Sequence, residues 1–154
     1  MFLDHHREPI AIRTKLGAIF FHWSTWLITS VSPGGGEKMS KHVVLAGDTT
    51  ALLTRLSRLR RKAFERTKEY VPVIVIQEAG LDGFWIHRVL EREQIESYVV
   101  DASSIATSRR RRRAKTDRID GETLVRSLLA YKRGEPRVCA MVRAPTPEAA
   151  NAKR

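Results

Sequence analysis

One cysteine, Cys139, is all the chain contains. A single thiol cannot close an internal disulfide or build a cysteine-type zinc site, which excludes a disulfide-stapled scaffold and makes a reducing cytoplasm the expected setting. No apolar run approaches the ~20 residues that a membrane-spanning helix needs. The most apolar window, AIFFHWSTWLITSV at 18–31, is broken by His22, Ser24, Thr25 and Thr29. Arg13 and Lys15 precede it as in a secretory leader, yet it runs straight into Pro33-Gly34-Gly35-Gly36. Trp, Phe, Ile, Thr and Val at that density suit a strand better. Negative charge is also scarce: 17 Asp and Glu stand against 28 Lys and Arg, a net charge of +11. That imbalance points to a polyanionic partner, nucleic acid before an anionic membrane surface. There is no internal repeat, and 154 residues with 42% hydrophobic content suffice for one buried core.

What is present reads as alternating strands and helices. Residues 1–16, with Pro9 and no clear period, form an irregular lead-in; 17–134 form the folded domain; 135–154, with three prolines, form a mobile tail. Within the domain a strand is expected over 17–31, a turn at 32–36 and a return strand over 38–46. Asp48 and Thr49 offer side-chain oxygens to cap a helix over 49–70. Leu52, Leu53, Leu56, Leu59 and Ala63 supply its buried stripe, while Arg55, Arg58, Arg61, Lys62, Arg66 and Lys68 make the other face strongly basic. Val73-Ile74-Val75-Ile76 is continuous and β-branched, as in a central parallel strand. A second helix over 83–93, capped by Asp82, buries Phe84, Trp85, Ile86, Val89 and Leu90. A strand over 95–100 and a polar loop over 102–116 lead to a last helix starting near Thr116 or Asp117 and stopping before Gly134. The order of elements implies an α/β layer structure.

Three features could carry chemistry. Glu78 ends the most buried strand, and in open α/β sheets ligand crevices lie at the carboxyl ends of strands. A carboxylate there requires a cation, whether a neighbouring arginine or a metal. Asp117 and Asp120, three apart, would share one helix face, ~5–6 Å apart at Cβ. Such a pair suits a hard ion such as Mg²⁺, although acids in a first helical turn also complement the helix dipole. Third, Arg109-Arg110-Arg111-Arg112-Arg113, with Lys115 and Arg118 behind, repels itself and stays extended until a polyanion arrives. Placed just before two carboxylates, these cations would hold phosphates while the acids hold the metal.

Other features carry less. Gly34-Gly35-Gly36-Glu37-Lys38 lacks phosphate-loop spacing and is a turn. His5 and His6 have no partner ligands at metal spacing, and His22, His42 and His87 form no nucleophile arrangement with Cys139. Trp23, Trp26 and Trp85 read as core.

The stretch QEAGLDGFWIHRVLE, followed by YVVDASSIATSRRRRRAKTDRIDGETLVRSLLAYKRGEPRVCA, resembles the amino-terminal half of DEDD-type insertion-sequence transposases, the one-hundred-ten-type family. The likeness starts near Trp26, includes STWLITSVSPGGGEKMSKHVV, and continues to about Ala149. It implies an RNase H-like or RuvC-like fold, a mixed sheet flanked by helices, here truncated. It also implies DNA transposition: DNA binding and strand cleavage and rejoining with Mg²⁺ or Mn²⁺, sometimes directed by an element-encoded guide RNA, in a homo-oligomer and without a membrane. The family's second, third and fourth acids map to Glu78, Asp117 and Asp120, the carboxylates singled out above.

Two departures follow. The family's first Asp lies about six residues before the Trp of the TWL segment, where this chain reads Ile19-Phe20-Phe21-His22-Trp23-Ser24-Thr25-Trp26, without an acid. The family's carboxyl-terminal half, with its nucleophilic serine, has no counterpart before Arg154. The expectation is therefore a truncated copy with impaired activity. The competing readings are a non-catalytic, basic nucleic-acid-binding module and a membrane-surface protein using its basic helix.

Overall fold

The computed structural model describes residues 15–31, 38–105, 120–146 and 148–149. Six strands form one mixed sheet. β1 (Lys15–Phe21), β2 (Thr25–Val31) and β3 (Met39–Leu45) make an antiparallel meander. β4 (Val73–Glu78) lies on the other side of β1 and parallel to it, followed by parallel β5 (Glu96–Asp101) and antiparallel β6 (Ala140–Val142). The spatial order is β3-β2-β1-β4-β5-β6.

Helices cover both faces. α1 (Thr49–Thr67) and α2 (Leu81–Arg92) pack on one face, and α3 (Gly121–Lys132) packs on the other. Strand alternation decides which residues meet which helix. Ile19, Ile28, Val73 and Val75 point to the α1/α2 layer, where Leu52, Leu56, Leu59, Ile86 and Leu90 close the core. Ala18, Ile74, Ile76, Tyr98 and Val100 point the other way, onto Leu124, Val125, Leu128 and Tyr131 of α3. β4 is buried on both sides from Val73 to Gln77, because a parallel neighbour flanks each edge and a helix covers each face.

Local signals set the helix ends. Asp48 caps α1, its Oδ1 accepting from Ala51 N at 2.9 Å. Lys68 turns left-handed at φ 59° and donates its N–H to Phe64 O, which stops the helix before Pro72. α3 ends in a polar knot against β5: Lys132 Nζ is 3.1 Å from Glu96 Oε2, and Tyr98 donates its hydroxyl to the same oxygen at 3.1 Å. Lys132 is nearly buried there, against the Glu96 carboxylate and the Tyr98 ring, 5.5 Å away.

Several expectations need correction. The strand foreseen over 17–31 is two strands, because His22, Trp23 and Ser24 reverse the chain; His22 N donates to Thr25 O at 2.9 Å. Lys15 and Leu16, assigned to the lead-in, belong to β1, whose pairing with β4 begins at Lys15↔Val73. Trp23 sits on that reversal and is 86% exposed, and Trp85 is also exposed; only Trp26 is core. α2 starts two residues earlier than expected, with Gly80 as its cap and Asp82 in its first turn. α3 starts at Gly121, later than the spacing of Asp117 and Asp120 implied. The segment expected to be a mobile tail contributes β6, which adds to the edge of β5. The turn at 32–36 lies outside the described residues.

Candidate functional site

The carboxyl edge of β4 opens into a cleft of about 320 Å³, lined by Ile19, Phe20 and Phe21 from β1 and by residues 78–83. Its position follows from the strand order. β1 and β4 run parallel and both end there, and α2 leaves from the end of β4. Close contact holds this corner together. A Cβ on Gly83 would collide with the backbone carbonyl oxygen of Glu78, so α2 reaches the strand end only because residue 83 has no side chain. Ala79 N donates to Val100 O at 2.9 Å, extending the β4–β5 ladder past Glu78.

Glu78 is half-buried at this edge. By alternation it shares the α3 face with Ile74 and Ile76. Asp120 stands at the start of α3 on that same face. Its Oδ1 accepts from Thr123 N at 2.8 Å, and its own backbone is extended (φ −70°, ψ 165°). Asp120 is thus a helix cap, and the shared helix face expected for Asp117 and Asp120 does not extend to it. Gly121 fixes where Asp120 sits, since a Cβ there would run into the Thr29 side chain of β2. Thr29 pairs with Ala18, and Ala18 with Ile76. Asp120 therefore lies near Thr29 of β2, and Glu78 ends β4, two strands away in the sheet order.

Between them is β1. Continuing its register with β4 by one residue, beyond Ile19↔Gln77, brings Phe20 level with Glu78; its antiparallel partner is Leu27. Phe20 is six residues before Trp26, where the transposase likeness calls for the first acid. The position between the two described carboxylates thus holds a phenyl ring.

The chemistry of the donors suits a hard divalent cation, because both are carboxylates. Their number is short: among the described residues no three His, Cys, Asp or Glu come together as a metal group. Asp117, Arg109, Arg110, Arg111, Arg112, Arg113, Lys115 and Arg118 lie outside the described residues. Asp82, expected only as a helix cap, lines the cleft beside Glu78. Its signal in the sequence was its spacing, four residues after Glu78 across a tight turn.

Two further arrangements escaped the sequence reading. Wholly buried Gln77 donates through Nε2 to Ser97 Oγ at 2.7 Å. Ser97 Oγ is 2.9 Å from His87 Nδ1, and His87 Nε2 is 3.0 Å from Glu91 Oε1. Serine, histidine and glutamate in series suggest a hydrolase, but there the serine faces Nε2 of the imidazole and a donor pair awaits the oxyanion. Here Nδ1 faces the serine, and the series ties α2 to β4 and β5. It is a packing network. The second arrangement is cationic. Lys15 on β1 has its pKa pushed down to about 8, first by burial and then by Arg66 and Lys62 of α1. The pKa of His42 on β3 is lowered by burial and then by Arg55, Lys62 and Lys15.

Among known proteins, the chain is similar to one named putative transposase y4rJ, from Sinorhizobium fredii (strain NBRC 101917 / NGR234). The two are 69% identical over 155 aligned positions, which cover 98% of this chain and 39% of that protein. The chain thus spans about two fifths of the length of the relative it matches. No protein-family model and no solved structure matches it. No helix among the described residues is long and apolar enough to cross a membrane.

Proposed function

We propose that the chain is the DNA-handling domain of an insertion-sequence transposase, of the DEDD type and the one-hundred-ten-type family, on an RNase H-like frame. The observation that carries this reading is the 69% identity to the Sinorhizobium transposase. The strand order supports it: three antiparallel strands followed by two parallel ones, with an acid at the carboxyl edge of the first parallel neighbour of β1. Proteins of this kind act on DNA phosphodiesters, and the +11 charge suits that substrate.

In this reading Glu78, Asp117 and Asp120 hold Mg²⁺ or Mn²⁺. Bound there, the ion would activate water or a sugar hydroxyl and neutralise charge on the scissile phosphate. The chain's own residues do the rest. Arg109 to Arg113, Lys115 and Arg118 neutralise phosphates of the incoming strand, and Gly83 and Gly121 let two helices press close enough to set the acids. Phe20 supplies no oxygen between Glu78 and Asp120, so cation affinity and strand cleavage are impaired. Phe20 also favours a second reading, a basic nucleic-acid-binding module that keeps the frame without the chemistry.

Calorimetric titration of Mn²⁺ separates these readings. The wild-type chain is expected to bind weakly, and Asp117→Asn/Asp120→Asn to lose that heat. Phe20→Asp, which adds a fourth carboxylate at the position of the missing first acid, should bind about tenfold more tightly, since affinity follows ligand charge count. A silent wild type with a responsive Phe20→Asp supports the non-catalytic module. Identical isotherms for all three proteins refute the metal site.

A further inference from the structure

The cations assigned to DNA so far lie in one stretch, 109–118. A second set lies on α1. Arg55, Arg58, Arg61, Lys62 and Arg66 project from α1, which belongs to the α1/α2 layer, whereas Glu78 and Asp120 belong to the α3 layer. Arg58, Arg61, Lys62 and Arg66 are exposed and Arg55 is half-buried. Among the described residues none of the five enters an ion pair, and α1 has a single acid, Glu65.

The spacing works against the helix itself. Arg58 and Lys62, and Lys62 and Arg66, are four apart, so like charges stand one above the other along the surface and repel. A merely solvated face would be expected to interleave carboxylates at these positions. The repulsion also spreads into the sheet, where it helps to lower the proton affinities of Lys15 and His42. An arriving anion would relieve all of these groups at once.

We propose that this ridge of α1 is a second docking surface for the phosphate backbone of duplex DNA, on the face of the sheet opposite α3. The inference rests on the reading of the chain as a DNA-handling domain, and adds a contact which that reading does not contain. The geometry suits a duplex. From residue 55 to residue 66 the helix rises about 16 Å, roughly five phosphate steps along one strand at 3.4 Å each. The five side chains are all cationic, so they offer charge to a phosphate backbone. α1 is capped at Asp48 and packed through Leu52, Leu56, Leu59 and Ala63, so the ridge is held in place before DNA arrives.

The test is fluorescence anisotropy with a labelled 30-base-pair duplex, over a series of salt concentrations. It uses the whole chain as wild type, as Arg58→Glu/Arg61→Glu/Lys62→Glu, and with Arg109 to Arg113 changed to serine. If three phosphate contacts are lost, the log–log salt slope should fall by about 2.7, and affinity at 0.1 M salt should drop at least tenfold. The serine variant should keep residual binding that the α1 substitutions then remove. If far-UV circular dichroism shows the glutamate variant unfolded, the corresponding glutamine variant is measured, with an expected slope change of the same size. Wild-type affinity and slope in a folded α1 variant overturn the inference; if the serine variant alone loses binding, the DNA-handling reading survives. A wild-type chain that ignores the duplex refutes both. Stronger α1-dependent binding to single-stranded RNA or to anionic vesicles than to the duplex also overturns it.

Discussion

Replacing Gly83 by alanine sets two effects against each other at the corner that carries Glu78. Gly83 is the third residue of α2, and alanine is favoured over glycine within helices by up to about 1 kcal/mol. Against this, the new methyl would lie far inside contact distance of the Glu78 carbonyl oxygen, close also to its carbon. That oxygen belongs to the backbone of a strand buried on both faces and cannot step aside as a side-chain tip would. The first turn of α2 must move instead, stretching the Phe84 N–H to Gly80 O bond, now 2.9 Å, and the contact of Gln77 with Gly83 O. Overpacking a close-packed site costs typically 1–3 kcal/mol, and a clash with backbone belongs at the upper end. The net expectation is a loss of about 2 kcal/mol, or a melting point lower by about 4–8 °C for a chain of this size. Ser57→Ala, at an exposed position of α1, gains the helix preference without the clash and serves as the control. Urea titration and thermal melts, both followed by circular dichroism, give the two numbers. A Gly83→Ala protein as stable as the wild type, or stabilised like the control, would refute the close approach of α2 to β4.

Asp120→Ala should lose the cap of α3 and about 1 kcal/mol in the same urea titration, whereas Asp120→Asn should keep most of that stability; equal losses would show that the carboxylate acts through charge and not as a cap. Lys15 titrates at about 8 in the folded chain, below its usual 10.5. Below about 8 both states hold the proton and the penalty is complete; between about 8 and 10.5 the unfolded state binds more proton, so stability rises with pH. The gain is roughly 2 kcal/mol after allowing for water reaching the ammonium, and Lys15→Met should flatten the rise in denaturant midpoints measured from pH 7 to 10.5.

Patterns local in sequence were the ones that could be read directly. The β-branched run at 73–76 had to be a doubly covered strand, and it became β4, with a parallel partner on each side. Asp48 ahead of leucines at helical spacing announced α1 and its cap. Glu78 was legible for the same reason, a charge ending a run that could only be interior. Errors came where one period had two solutions. The residues at 17–31 are strand-like throughout, and only the ladder to β4 and β3 shows that His22, Trp23 and Ser24 turn the chain back. Trp23 sits on that turn, where size and apolarity no longer secure burial. Asp82 could have capped a helix, but Gly80 takes the cap position and α2 starts earlier.

The amino acids alone determined the charge, the helices and the most buried strand, because net charge is a sum and both helix formation and strand burial follow from spacings of a few residues. Tertiary structure decided the neighbours. That Phe20 lies between Glu78 and Asp120, and that the α1 cations occupy the face away from both, depends on pairings across dozens of residues. Strand order and the face to which each strand side chain points are properties of the closed sheet, since a shift of one residue in register would turn a strand's side chains, Phe20 or Glu78 among them, to the other side.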